Sequence, residues 1–90
     1  MQPGDNQTRA VWEALWTSLD GSRYDVPSMK TTARENSHFV DDLGLDSLDL
    51  LEFYLRLDEE FNVNLTEDDY PKLISVEATT AYLKAKAAHQ

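Results

Sequence analysis

The sequence predicts an all-α protein, a small four-helix bundle made of three main helices, one short helix and a long first loop. Three segments repeat apolar residues at the spacing of a helix, and none alternates apolar and polar residues over the length of a strand. Ninety residues also fit one small domain and leave no room for two. We therefore expect a single domain over residues 1–90, with residues 1–7 as a disordered tail.

The first predicted helix runs from about Thr8 to Leu19. Val11, Leu15 and Leu19 recur at every fourth position and form one apolar face, and a turn signal follows. From residue 21 to residue 44 the chain is polar and has few periodic apolar positions. We expect a long loop there that could include a short helical turn, held to the core at intervals by Val26, Met29, Phe39, Val40 and Leu43.

The second main helix is predicted from about Ser47 to Phe61, with Asp46 as its N-cap. At about 100° per residue, its apolar residues fall into two stripes on nearly opposite sides. One stripe consists of Leu50, Phe53, Tyr54, Leu57 and Phe61, and the other consists of Leu48, Leu51 and Leu55. A helix that packs on one core needs a single stripe, so folding alone does not explain the second.

A short helical turn is predicted from Thr66 to Tyr70, ended by Pro71. The last helix is predicted from about Ser75 to Ala88. Its inner face consists of Val76, Thr80, Leu83 and Ala87. These two elements complete the four-helix prediction.

The overall charge excludes several classes of partner. The chain contains eight Lys and Arg residues and seventeen Asp and Glu residues, which gives a net charge of −9. Nucleic acids and anionic membranes both require basic surfaces. The chain has no cysteine, no apolar run of about 18 residues and no basic-then-apolar start. We expect a soluble cytoplasmic monomer that binds no nucleic acid and does not insert into membranes.

The acidic residues are concentrated in one part of the chain. Residues 41–69 contain eleven of them and one basic residue, Arg56. A charge run most often means a solvated surface. Here the acids run beside the second leucine stripe, and the combination indicates a docking surface for basic proteins.

Residues 42–48 read Asp-Leu-Gly-Leu-Asp-Ser-Leu. Gly44 permits a tight turn, Asp46 caps the helix, and Ser47 falls at the first helical position. A phosphate on the Ser47 hydroxyl would lie near the free N–H groups and the positive end of the helix. On spacing alone, a plain capping role is the more frequent meaning of such residues.

This motif resembles the attachment site of acyl carrier proteins, in which the serine accepts 4'-phosphopantetheine. The likeness continues without a gap from Phe39 to Leu83 and is closer to fatty-acid and polyketide carriers than to peptidyl carriers. It implies an acyl-carrier-protein-like fold and a cofactor, 4'-phosphopantetheine, derived from coenzyme A and attached to Ser47. It also implies that the protein holds acyl intermediates as thioesters and presents them to enzymes of fatty-acid, polyketide or related lipid biosynthesis.

The resemblance assigns further residues and partners. The partners implied are a phosphopantetheinyl transferase and acyl-transferring and synthase enzymes with basic patches. The docking residues implied are Asp46, Leu48, Asp49, Leu51, Glu52, Leu55, Asp58 and Glu59. The residues implied to line an interior acyl pocket are Phe53, Leu57, Phe61, Val63, Ile74 and Leu83. Arg56 and the bulky Tyr54 and Leu50 depart from the usual family pattern.

Two other classes of function remain to be weighed. An unmodified acidic interaction module could use the same helix face without a prosthetic group. A serine hydrolase would need a base near Ser47, yet the histidines are His38 and His89 and no Gly-x-Ser-x-Gly motif exists.

Residues 58–69 have the length of a calcium-binding loop, but Val63 occupies the position at which such a loop requires glycine. We therefore expect no catalytic residue, no enzyme activity and no metal site.

Overall fold

The computed structural model describes residues 6–20 and 24–88. In these two ranges the chain forms four α-helices and one 3₁₀ turn, with no strand. The elements are α1 (Asn6–Leu19), α2 (Val26–Thr32), α3 (Ser47–Phe61), the 3₁₀ turn (Tyr70–Lys72) and α4 (Val76–Ala88). None of these helices has both the length and the apolar character that crossing a membrane requires. The prediction of a small all-α bundle is confirmed.

The core lies where α1 packs against α3 and α4. The predicted face of α1 is fully buried, with Val11, Leu15 and Leu19 at zero exposure. The other helices contribute Phe53 and Leu57 from α3 and Val76 and Leu83 from α4. Burial of these large apolar side chains is the main force that holds the three helices together.

The predicted long loop over residues 21–44 contains α2, a seven-residue helix, where the sequence suggests no more than a short helical turn. The Asp25 carboxylate caps α2 and accepts a hydrogen bond from the Ser28 N–H at 3.4 Å. Val26 and Met29 pack partly against the core. Seven residues offer only two apolar positions, which is too few to reveal a helical period.

The two ends of the bundle differ slightly from the sequence prediction. Residues 6 and 7 belong to α1 and not to a disordered tail, while residues 1–5 lie outside the described residues. At the other end α4 begins at Val76, one residue later than predicted. The Ser75 hydroxyl accepts a hydrogen bond from the Ala78 N–H at 3.1 Å and so caps the helix.

Asp69 joins the 3₁₀ turn to α4. Its buried carboxylate accepts hydrogen bonds from the Thr66 N–H at 2.7 Å, the Thr66 hydroxyl at 3.2 Å and the Tyr82 hydroxyl. The Lys86 ammonium group lies 3.5 Å away. These groups hold the pKa of Asp69 below its ordinary value, with the Tyr82 hydrogen bond as the largest cause.

Candidate functional site

The turn before α3 determines where Ser47 lies. Gly44 adopts a φ of +73°, a backbone conformation that glycine accepts at little cost. Asp46 follows with extended backbone, and its carboxylate accepts a hydrogen bond from the Asp49 N–H at 3.0 Å. Ser47 is therefore the first residue of α3, as the sequence predicts, at an end where backbone N–H groups lack helical partners.

The residues on the N-terminal side of Ser47 are anchored to the core. Leu45 is buried, and its N–H donates to the Phe39 carbonyl at 3.0 Å. The Phe39 N–H in turn donates to the Ile74 carbonyl at 2.8 Å. This chain of contacts holds the turn against the bundle while Ser47 itself stays exposed to solvent.

An open groove of about 410 Å³ lies beside Ser47. Its lining consists of Ser47, Leu48, Leu50, Leu51, Tyr54, Glu67 and Tyr70. Most of these side chains are apolar or aromatic, and Glu67 supplies the one carboxylate among them. A hydroxyl at a helix N-terminus beside such a groove can bear a phosphate ester whose organic part rests on the apolar wall.

His38 is the one histidine in the part of the chain that the structure describes. Its Nδ1 accepts hydrogen bonds from the Val40 N–H and the Asp41 N–H, each at 3.2 Å. This nitrogen therefore stabilises its own loop. Across residues 6–20 and 24–88, no group of His, Cys, Asp and Glu side chains is placed to hold a metal ion.

The second leucine stripe of α3 lies on the surface. Leu48 is 73% exposed, Leu55 is 52% exposed and Leu51 is 41% exposed. Glu52 and Glu59 are exposed beside them. We call the surface formed by Leu48, Leu51, Glu52, Leu55 and Glu59 the leucine–glutamate face. It combines apolar contact area with negative charge.

The three aspartates predicted for docking have contacts inside the molecule. The Asp49 carboxylate accepts a hydrogen bond from the Tyr24 hydroxyl at 2.6 Å. The Asp58 carboxylate accepts one from the Leu65 N–H at 2.8 Å, and Asp46 caps α3. Sequence reasoning missed the role of Tyr24, since one tyrosine in a polar segment gives no sign of its partner.

Most residues predicted to line an interior pocket lie in the core. Phe53, Leu57 and Leu83 are fully buried, Val63 is nearly so, and Phe61 is half-buried. Ile74 is wrong as an interior residue, because it is 44% exposed. Leu73 and Ser75 are buried on either side of it. Leu73, which is fully buried, takes the inward position instead.

Tyr54 lies between the groove and the core. It lines the groove, yet it is only 7% exposed. Its ring stacks on Tyr70 at a centroid distance of 4.5 Å, and its hydroxyl donates to the Leu73 carbonyl at 3.3 Å. Burial raises the pKa of Tyr54 to about 12, with a smaller contribution from Tyr70. The side chain therefore stays neutral at physiological pH.

Residues 29–83 match the family model described as the phosphopantetheine attachment site. The chain is 42% identical to the acyl carrier protein of Nitratidesulfovibrio vulgaris over 53 residues, which are 59% of this chain and 70% of that protein. It is 40% identical to the acyl carrier protein of Clostridium acetobutylicum over 55 residues, 61% of this chain and 71% of that protein. For the acyl carrier protein of Lactobacillus acidophilus the identity is 38% over 56 residues, 62% of this chain and 70% of that protein.

Proposed function

The chain belongs to the acyl carrier protein family, and on that premise we propose that Ser47 is the residue that bears its 4'-phosphopantetheine group. The observation that supports this assignment is the exposed Ser47 hydroxyl at the first position of α3, beside an apolar groove. When attached, the group supplies a flexible arm that ends in a thiol and holds acyl chains as thioesters.

The residues around Ser47 fit a group joined through a phosphate. The N-terminal N–H groups of α3 favour negative charge at this end of the helix. The neighbouring carboxylates of Asp46 and Asp49 already accept internal hydrogen bonds, which moderates their repulsion of a phosphate. The groove offers apolar surface for the rest of the arm. In this proposal, Leu45 and Asp46 keep Ser47 in place for a transferase.

We propose that the protein contributes no catalytic residue to the reactions of its cargo. Its part is to tether a substrate, which raises the effective concentration of that substrate at each partner enzyme. A base that removes the Ser47 proton would come from the transferase. The engagement of His38 Nδ1 by two backbone N–H groups of its own loop supports this division of roles.

We propose that the partners are a phosphopantetheinyl transferase and acyl-transferring or synthase enzymes with basic patches. The leucine–glutamate face supports this, because its charge attracts a basic patch and its leucines supply close contact. Fatty-acid, polyketide or related lipid biosynthesis as the pathway, a monomeric state and a cytoplasmic location stay predictions.

Mass measurement after enzymatic loading tests the attachment residue. The purified protein is incubated with coenzyme A and, in turn, several phosphopantetheinyl transferases. We expect the wild type to gain the mass of one phosphopantetheine, and Ser47→Ala to gain none while keeping its helical circular dichroism. Ser28→Ala, which changes an exposed serine of α2, is the matched control and should load like the wild type.

Two results would count against the assignment. A gain that persists in Ser47→Ala would place the group on another residue. No gain with any transferase would favour the second candidate, an unmodified interaction module. That candidate draws support from the three exposed leucines of α3.

A further inference from the structure

His38 caps the turn that precedes α3. Its Nδ1 accepts hydrogen bonds from the Val40 N–H and the Asp41 N–H, each at 3.2 Å. These are the second and third residues of the turn over residues 39–43, the positions at which a capping side chain satisfies backbone N–H groups. In return, the His38 N–H donates to the Asp42 carboxylate at 2.7 Å. The cap is therefore reciprocal, as in the capping box of a helix.

The capped turn fixes the backbone that presents Ser47. The Gly44 N–H donates to the Val40 carbonyl at 3.1 Å, and the Leu45 N–H donates to the Phe39 carbonyl at 3.0 Å. Both bonds run from the residues just before α3 back to the first residues of the turn. If the turn opens, both bonds are released, and the direction in which the chain enters α3 is no longer fixed.

The cap requires the neutral form of the His38 side chain. Because Nδ1 accepts through its lone pair, the proton of the neutral ring is on Nε2. Protonation of Nδ1 places an N–H group opposite two backbone N–H groups, so both hydrogen bonds are lost. Histidine is the side chain that ordinarily changes charge between about pH 5 and pH 8, and that of His38 is 34% exposed to solvent. Neutral His38 therefore holds the turn, and charged His38 does not.

The charges around His38 are mainly negative. The start of α4 packs against the loop that contains His38, and there the Glu77 N–H donates to the Glu35 carbonyl at 2.8 Å. The charged residues of positions 33–45 and of the first turn of α4 are Arg34, Glu35, Asp41, Asp42 and Glu77. The Asp41 carboxylate lies 3.9 Å from Nδ1 but is 78% exposed. An ion pair at such an exposed carboxylate contributes little, so it does not compensate for two lost backbone hydrogen bonds.

We infer that neutral His38 is a positioning residue for the loading of Ser47, and that its protonation opens the turn before α3 and slows loading. The inference rests on the proposed attachment at Ser47 and adds a residue that acts on it through the turn. A nucleophile reacts fastest when its orientation is fixed in advance, and the capped turn fixes that of Ser47.

His38 takes no part in the bonds that change during loading. A P–O bond forms between the Ser47 oxygen and the phosphorus that bears pantetheine in coenzyme A. The pyrophosphate P–O bond breaks, adenosine 3',5'-bisphosphate leaves, and the Ser47 proton passes to a base of the transferase. The contribution of His38 is limited to the backbone conformation in which Ser47 meets the transferase.

The pH dependence of loading tests this role. The wild type and His38→Asn are loaded from coenzyme A between about pH 5.5 and pH 8, and mass spectrometry gives the rates. The asparagine oxygen can cap the turn at every pH. Dividing the two rates at each pH removes the pH dependence of the transferase itself. We expect the ratio of wild type to His38→Asn to fall about fivefold from pH 8 to pH 5.5, the factor that corresponds to the loss of one cap.

His38→Ala distinguishes positioning by the neutral ring from a general structural role. This variant lacks the cap at every pH, so we expect slow loading throughout and a constant ratio to His38→Asn. If the ratio of wild type to His38→Asn is also constant over the whole range, protonation of His38 does not control loading and the inference is wrong. Attachment at Ser47 would stand in that case, because the wild type still gains its phosphopantetheine.

Nuclear magnetic resonance tests the cap without any loading reaction. The ring nitrogen signals missing from the spectrum of His38→Asn identify His38, since the chain has two histidines. In the neutral ring we expect the proton on Nε2, and the amide signals of Val40 and Asp41 should shift with the same midpoint as the His38 ring. The Thr79 amide, bonded to the Ser75 carbonyl within the α4 end of the bundle, is the control and should not follow that midpoint. A neutral ring with its proton on Nδ1, or amide signals of Val40 and Asp41 that ignore the titration, would overturn the inference even if no transferase loads the protein.

Discussion

At the first turn of α3, the Asp49 carboxylate accepts a hydrogen bond from the Tyr24 hydroxyl at 2.6 Å. The same hydroxyl lies 3.3 Å from the Gly44 carbonyl, within the turn that precedes Ser47. Tyr24 thus ties the segment before α2 to the turn that displays the proposed attachment residue. A basic partner that approaches Asp49 has to compete with this hydrogen bond.

The bond between Tyr24 and Asp49 should contribute measurably to stability. Because the acceptor is charged, we expect Tyr24→Phe to lower the free energy of unfolding by about 1.5 kcal/mol. In an Asp49→Ala background the same change should cost much less, since the acceptor is already absent. Urea denaturation of the wild type, the two single variants and the double variant measures the coupling energy between Tyr24 and Asp49. If Tyr24→Phe lowers the free energy of unfolding equally with and without Asp49, the hydrogen bond does not contribute to stability.

At the residue level, short-range signals were predictable and long-range pairings were not. Asp46 and Ser47 could be identified because capping and the motif depend on adjacent residues. The partner of Asp49 is 25 residues away in the chain, and no local pattern indicates it. Ile74 was misplaced because an apolar residue in a link can point to either side.

Among the elements, α3 has the bounds that the sequence predicts, Ser47–Phe61. Its start follows from the Asp46 cap. Its end follows from Asn62, which adopts the left-handed conformation with φ 52° and ψ 43° that asparagine tolerates at a helix end. α2 has a comparable cap but only two apolar positions, so the contact of Val26 and Met29 with the core could be predicted while the bounds of the helix could not.

The contact between the 3₁₀ turn and α4 should depend on pH. The pKa of Asp69 is lowered in the folded state, chiefly by the Tyr82 hydrogen bond, from its ordinary value of 3.8. Its contribution to stability is therefore full above that value and is lost as the pH falls through the lower folded pKa. We expect the stability difference between the wild type and Asp69→Asn to be largest near pH 7 and to shrink in acid.

Thermal unfolding of both proteins between pH 2 and pH 7 measures this difference. Asp68→Asn changes an exposed neighbour and is the control for the loss of one charge. If the difference in stability between the wild type and Asp69→Asn is the same at every pH, the charge of Asp69 does not hold the 3₁₀ turn to α4.

Over the whole molecule, negative charge and exposed leucines coincide on α3. Residues 41–69 account for eleven of the seventeen acidic residues, and α3 lies within this segment. The field of such a surface draws a basic partner toward the side of the bundle that displays Ser47. The all-α class could be predicted because it needs only helical periodicity, whereas the packing of α1 on both α3 and α4 required the structure.

Charge reversal on the leucine–glutamate face should slow loading by the transferase. We expect Glu52→Lys with Glu59→Lys to reduce the loading rate at low salt by about tenfold, because electrostatic steering is lost. The reduction should fade at high salt, where exposed charges are screened. Mass spectrometry of samples quenched at successive times gives the loading rates.

A second pair of substitutions distinguishes the effect of where the charges lie from the effect of the net charge. Glu13→Lys with Glu77→Lys changes the net charge equally, but at exposed positions of α1 and α4. We expect this pair to have a much smaller effect. Equal slowing by the two pairs would mean that overall charge, and not the leucine–glutamate face, governs the encounter.

The most direct measurement of the central claim is fragmentation mass spectrometry of the protein isolated from the cells that produce it. If the claim is correct, the peptide that contains Ser47 carries one phosphopantetheine, with or without an acyl chain on its thiol. A population in which Ser47 is always bare, and which no transferase loads, would contradict it.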